Sequence, residues 1–210
     1  ARVIDVVAGD VLDDRSVLII DDRIQSIDSG RPSSRDTRVI DLAGKFVIPG
    51  LIDCHCHLLQ TTSDLFGQTS LSPQYIMAKS YGIAKGMLMR GFTTVRDAGG
   101  ADFGYARAIA EGLTPGPRVR YCGKAMTQTG GHGDFRQAGD FRDDLPYWAS
   151  TISRRVDGVD EIRRACRDEI RKGAHHLKIM ASGGIASPTD RIDSDQFSVE
   201  EISAVVEEAT

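Results

Sequence analysis

The sequence predicts an α/β chain: a short β-rich segment, then β-α units in series whose strands lie parallel. Three observations carry this reading. Residues 1–46 hold short runs rich in Val and Ile with no helical period. From residue 47 onward, apolar runs of strand length alternate with stretches whose apolar residues recur at helical spacing. Each connection is long enough for a crossover, which parallel pairing requires.

Taken in order, Arg2–Val7, Ser16–Ile20, Arg23–Ile27 and Arg38–Leu42 read as strands of a small sheet. Asp21-Asp22 falls where a hairpin turn is needed, and Gly30–Asp36 reads as a polar loop. Phe46–Cys54 is the first strand of the second region. Ser72-Pro73 supplies an N-cap and an N1 proline for a helix that places Ile76, Met77, Ile83, Ala84, Met87 and Leu88 on one face and stops at Gly91. Phe92–Arg96 is the second strand, followed by a short helix over Phe103–Glu111 that ends at Gly112. Arg118–Cys122 is the third strand, and a long loop covers about residues 125–156. Asp157 caps a helix with Ile162, Ala165, Cys166 and Ile170 on one face, and His176–Met180 is the fourth strand. Ser198 and Glu201 form a capping box for a last helix carrying Ile202, Val205, Val206 and Ala209. A doubly wound sheet and half of an eight-unit barrel both fit. No Gly-x-Gly-x-x-Gly turn follows the first strand, so a dinucleotide fold is disfavoured. A complete barrel takes about 250 residues, so the chain reads as the N-terminal portion of something longer.

Composition narrows the function classes. A formal charge of −4 gives no electrostatic case for nucleic acid or an anionic membrane. No apolar run approaches the ~18 residues that span a bilayer, and no signal-peptide pattern opens the chain. The cysteines, Cys54, Cys56, Cys122 and Cys166, are too sparse for a disulfide scaffold, so the expected setting is reducing and cytoplasmic.

The chemistry concentrates in a few places. In Val47–Leu58 an apolar strand ends in His55 and His57, and residues i and i+2 of a strand face the same side. Two neutral imidazoles converging at a strand end suit a divalent transition metal, most often zinc. Cys54 and Cys56 alternate to the other face, where they read as buried spectator thiols. Lys178 lies in an otherwise apolar strand ending in a glycine loop. An isolated buried ammonium is costly, so this lysine is salt-bridged, snorkels to solvent, or has reacted with carbon dioxide to give an anionic carbamate. His175 and His176, at the start of that strand, are expected to lie away from its functional end. In Thr129-Gly-Gly-His-Gly-Asp134, glycines permit close approach of a ligand and His132 is placed to donate to a carbonyl or carboxylate; a plain glycine turn is the alternative. Arg96 and Asp97 read as a structural ion pair.

Val47–Leu58, Phe92–Gly100, the Gly-Gly-His-Gly-Asp loop and Lys178–Asp190 together resemble the amidohydrolase superfamily, in particular its imidazolonepropionase-related, prolidase-like branch. The resemblance runs over essentially the whole chain. It implies a (β/α)8 TIM barrel, with residues 47–210 giving strands one to four, and a small β-sandwich to which residues 1–46 contribute. It implies two divalent metal ions, usually Zn2+. His55 and His57 match ligands of the more buried one, and Lys178 matches a bridging lysine carbamylated by carbon dioxide. His132 matches a residue that binds or polarises the substrate. Two further histidines and a catalytic aspartate of the family have no counterpart before Thr210. The implied reaction is hydrolysis of a C–N amide bond by a metal-bridging hydroxide.

Several functions follow from that resemblance. The leading one is a dipeptidase acting on Xaa-Pro-like substrates. Carboxypeptidase action on C-terminal Arg or Lys, and deacylation of N-acyl amino acids, are alternatives within the same chemistry. A mononuclear deaminase would not require Lys178. A non-enzymatic assembly scaffold with this fold is the alternative of another class. The implied partners are a small-molecule or dipeptide substrate and further copies of the chain in a homo-oligomer, with no nucleic acid and no membrane.

Overall fold

The structure, a computed structural model, describes residues 1–30, 37–141 and 152–210. The expected loop after Gly30, and residues 142–151 of the loop expected over 125–156, lie outside the described residues. Two compact units are present, Ala1–Gly50 and Leu51–Thr210.

In the first unit, strand β1 (Arg2–Asp5) pairs antiparallel with β2 (Asp10–Leu12) and parallel with β5 (Phe46–Val47). Strands β3 (Arg15–Ile20) and β4 (Arg23–Ser29) form a hairpin turning at Asp21-Asp22, where Asp21 takes a φ of 55°. β1 stops two residues earlier than its apolar run suggests, because the Asp5 carboxylate accepts from the Val7 and Ala8 amides and starts a turn. The same device replaces the expected strand over Arg38–Leu42. Asp41 accepts from the Ala43 amide, and Lys45 donates back to Leu42. The expected strand over Phe46–Cys54 is two strands separated at Ile48-Pro49-Gly50. Proline has no N–H for a ladder.

In the second unit, β6 (Leu51–Cys56), β7 (Phe92–Asp97) and β8 (Arg118–Tyr121) form a parallel sheet in the order of the chain. The short helix α1 (Leu65–Gln68) and the long α2 (Pro73–Met89) join β6 to β7, and α3 (Phe103–Ala110) joins β7 to β8. Ala84 and Met87 of α2 and Tyr105 of α3 pack on Val95, Val119 and Tyr121 of the sheet. Burying a side chain such as Val95 stabilises the fold by roughly 1.5–3 kcal/mol. Ser80 donates its hydroxyl to that of Tyr105, which donates to the Ser80 carbonyl, so both buried hydroxyls are satisfied.

Beyond β8 the backbone departs from its sequence pattern in both directions: two short strands fall inside the expected loop, and the expected fourth strand is reduced to a bridge. β9 (Ala125–Thr127) pairs parallel with β10 (Ser153–Arg155). Residues His176–Met180 form a single parallel bridge, Met126 to Ile179, in place of the expected fourth strand. Met126 donates to the Lys178 carbonyl, and Met180 donates to Met126. With His175 donating to Tyr121, this segment runs beside the third strand. Apart from β10, which lies on the other edge of β9, neighbours stand in chain order from β6 to this segment, as winding around a barrel requires, although the described residues do not close one. Helix α4 (Val159–Arg171) begins after Gly158, with a φ of 81°, and not at Asp157. Asp157 instead accepts from the backbone and hydroxyl of Thr129. Glu169 is buried on α4 where Ile170 was expected, bonded by Arg154. Helix α5 (Val199–Ala209) carries the expected capping box.

Candidate active site

β6 delivers His55 on its last turn of pleat and His57 just past its end. Their ring centroids lie 5.4 Å apart, nearly edge to face at 68°. Cys56 alternates to the helix-covered side and packs there, its thiol directed at the Arg96 carbonyl. Cys54 is exposed, which corrects the expectation of two buried thiols.

The pKa of each imidazole is lowered, which favours the neutral form. Burial lowers the pKa of His57, a hydrogen bond to Gly99 opposes it, and the Lys178 and His132 charges add to the lowering. For His55 the causes are burial, then Lys178 and His57. The His57 Nδ1 stands 3.1 Å from the Gly99 carbonyl oxygen. A carbonyl only accepts, so Nδ1 carries the proton and Nε2 keeps its lone pair.

The surroundings of Arg96 and Asp97 differ from the expected ion pair. Consecutive strand residues point to opposite faces, and these two part accordingly. Arg96 donates to the Cys54 carbonyl at 2.7 Å. Asp97 is fully buried and accepts from the amides of Leu58, Gly99 and Ala101. Burial pushes its carboxyl up to about 6, with the three amides and Lys124 pulling the other way.

One cavity of about 180 Å³ gathers His55, His57, His132 and Lys178 with Gln60. Apolar residues complete its lining: Leu65, Phe135, Ile152 and Met180, which belong to one buried cluster. The residues singled out in the sequence therefore converge, although His132 and Lys178 come from different loops. His175 and His176 do not line this cavity. The His175 ring packs edge-on against Tyr121 at 4.8 Å, away from the four.

His132 is held by side chains. Its amide donates to Gln196 Oε1 at 2.9 Å, and its Nδ1 meets the Ser187 hydroxyl at 3.0 Å. Ser187 bonds in turn to Asp190, a buried carboxylate that also accepts from the Gly184 amide and Gln196 Nε2. Gly184 lies flat against the His132 ring, where a Cβ would come within 2.0 Å of Cε1. Sequence reasoning missed this network and the apolar wall. Asp190 does fall in the Lys178–Asp190 run that carries the resemblance.

As a donor set for a cation, two neutral imidazoles with one Nε2 lone pair left free, beside a lysine in the same cavity, suit a transition metal. Among the described residues no three His, Cys, Asp or Glu side chains converge to hold a metal ion.

Comparison with known proteins agrees with the geometry. Residues 46–210 match the model of the amidohydrolase family. Ochratoxinase of Aspergillus niger is 37% identical over 175 residues, covering 78% of this chain and 36% of the relative. A solved prolidase complexed with N-methylphosphonate-L-proline superposes with a TM-score of 0.94 at 44% identity, over 99% of this chain and 51% of that one. A Xaa-Pro dipeptidase with bound methionine superposes with a TM-score of 0.82 at 30% identity, over 99% of this chain and 52% of that one. The chain thus spans about half the length of these solved relatives and about a third of ochratoxinase. On the match over residues 46–210 and the convergence of His55, His57, His132 and Lys178 in one cavity, the chain belongs to the amidohydrolase family.

Proposed function

We propose that the protein carrying this chain is a metal-dependent hydrolase of C–N amide bonds, most simply a dipeptidase on Xaa-Pro-like substrates. The single observation behind this is the shared cavity. His55, His57, Lys178 and His132 line it together with the apolar Leu65, Phe135, Ile152 and Met180. A polar reacting centre beside an apolar wall suits an amide carbonyl carried next to a compact apolar group such as a prolyl ring. The similarity to a prolidase and a Xaa-Pro dipeptidase supports the same substrate class.

In this reading His55 and His57 would hold one divalent cation and Lys178, as a carbamate, would supply a ligand shared with a second; zinc is the metal we propose. Bound there, the cations supply a water activated near neutral pH and Lewis-acid polarisation of the substrate carbonyl. The protein's own residues do the rest. His57 presents Nε2 because Gly99 holds its other nitrogen. His132, which lines the cavity with its Nδ1 held by Ser187, would bind or polarise the substrate. The apolar wall excludes water from one side of the reacting bond. The remaining ligands and the catalytic aspartate would come from a segment beyond Thr210, in a closed (β/α)8 barrel with residues 1–46 in a small sandwich. A homo-oligomeric, cytoplasmic enzyme completes the proposal. No helix among the described residues is long and apolar enough to cross a membrane.

The deciding experiment is metal analysis of the full-length protein together with hydrolysis of a dipeptide library. Two zinc ions per subunit and preferential cleavage before proline are expected. Metal-free protein that cleaves no dipeptide overturns the reading and favours a non-enzymatic scaffold. Labelling with 13C-bicarbonate, read as a carbamate carbon resonance lost in Lys178→Ala, tests the lysine separately.

A further inference from the structure

From the packing around the end of β6, we propose that Asp97 is the positioning residue for His57, acting through the Gly99 carbonyl. Asp97 is fully buried and uses both carboxylate oxygens. One accepts from the Leu58 amide at 2.7 Å, fixing the backbone just after His57. The other accepts from the amides of Gly99 at 3.0 Å and Ala101 at 3.1 Å, fixing the loop after β7. That loop turns the Gly99 carbonyl onto His57 Nδ1 at 3.1 Å. One carboxylate therefore ties together the chain that carries the imidazole and the chain that carries the imidazole's acceptor.

Gly99 is the hinge of the arrangement. Its φ is 149°, a conformation that L side chains rarely adopt. An added Cβ would come within 2.6 Å of the Ile152 carbonyl, 3.3 Å of the Ala125 Cβ and 3.5 Å of His57 Nδ1. Only glycine brings the loop this close to the ring. The result is a set tautomer and a set ring plane for His57. Outer partners of this kind hold a metal-binding imidazole in its working orientation, and their loss typically weakens metal binding 10–100-fold.

The inference rests on the metal reading of His57, so the test separates the two. The full-length protein, Asp97→Asn and Gly99→Ala are compared by zinc affinity, using competition with a chromophoric chelator. Ring-nitrogen NMR of the metal-free proteins reports the His57 tautomer, and circular dichroism reports folding. Asparagine retains a single acceptor oxygen, so one arm of the clip is lost. Both variants are expected to lose the Nδ1–H preference and to bind zinc about 10–100-fold more weakly while folded. A folded Asp97→Asn protein with the original tautomer and the original zinc affinity overturns the proposal, since a structural carboxylate would lower stability alone. Should Asp97→Asn not fold, Gly99→Ala decides by the same readouts with the carboxylate intact. A parent protein that binds no zinc but shows the Nδ1–H tautomer, lost in the variants, overturns the metal reading and sustains the clip.

Discussion

The two sides of the cavity are held by different means. His55 and His57 are placed by a strand, and the orientation of His57 is completed by backbone amides and a backbone carbonyl around Asp97 and Gly99. His132 sits in a glycine loop and is placed by side chains, through Gln196, Ser187 and Asp190. Lys178 is intermediate. Its backbone lies on β9 through one bridge, without the ladder of a full strand. A ladder and a buried carboxylate fix an imidazole to one geometry, which suits a metal ligand. A chain of hydroxyl, amide and carboxylate side chains on a loop can be re-tuned by single substitutions, which suits a group that reads the substrate.

The largest expected effect tests whether the two sides are one site. Replacing His57 or Lys178 by alanine should reduce kcat by about 10³-fold or more, because metal catalysis supplies several kcal/mol of transition-state stabilisation. The check is steady-state dipeptide hydrolysis with metal content measured in parallel. Retained turnover in Lys178→Ala would divide the cavity into unrelated halves. Next in size, Gly184→Ala would push the His132 ring from its place, since the new Cβ overlaps it. A displacement on the order of 1 Å costs about 10²-fold, so kcat/KM should fall by about that factor with zinc content unchanged. Loss of zinc in that variant would contradict the division of labour. Ser187→Ala removes one hydrogen bond from the His132 chain and should cost about tenfold in kcat/KM, on the order of 1 kcal/mol. Its measurement is again kinetic, with the His57 side as internal control.

The smallest effect lies away from the cavity. Asp168 on α4 is raised by burial, but hydrogen bonds from Lys172 and Arg171 outweigh this and bring it down to about 2, with Arg154 adding to the lowering. Its folded-state value lies below the ordinary carboxylate value of 3.8. The stability it contributes is therefore complete above about pH 4 and is lost as the pH falls toward 2. Discounted for partial solvent exposure, this is roughly 1 kcal/mol. Asp168→Asn should lower stability at neutral pH by about that much, and flatten the acid limb of a urea-unfolding series between pH 4 and 2, while kcat stays unchanged. A change in kcat would mean that α4 communicates with the cavity.

Much of this architecture is legible in the chain. The alternation at His55 and His57, the helix over Pro73–Met89 and the capping box at Ser198 are local patterns, and each appears as read. The misreadings have separate causes. Asp5 and Asp41 divert a backbone expected to continue a strand, because a short carboxylate competes for nearby amides, whereas Asp157 spends its carboxylate on Thr129, 28 residues away. Arg96 and Asp97 were paired on adjacency, whereas a strand sends them to opposite faces.

What the sequence by itself determined is the kind of chemistry. A pair of imidazoles at a strand end, a lysine in an apolar run and a histidine among glycines set the donor types and the secondary structure that carries them. Only the tertiary structure decided how those donors are oriented and what faces them. The Gly99 carbonyl lies 42 residues from His57, and Ser187 lies 55 from His132. Periodicity reports which way a side chain leaves its own strand or helix. Partners at such separations are chosen by packing of whole elements, which brings a carbonyl, a hydroxyl or an apolar wall to the ring only once the sheet has formed.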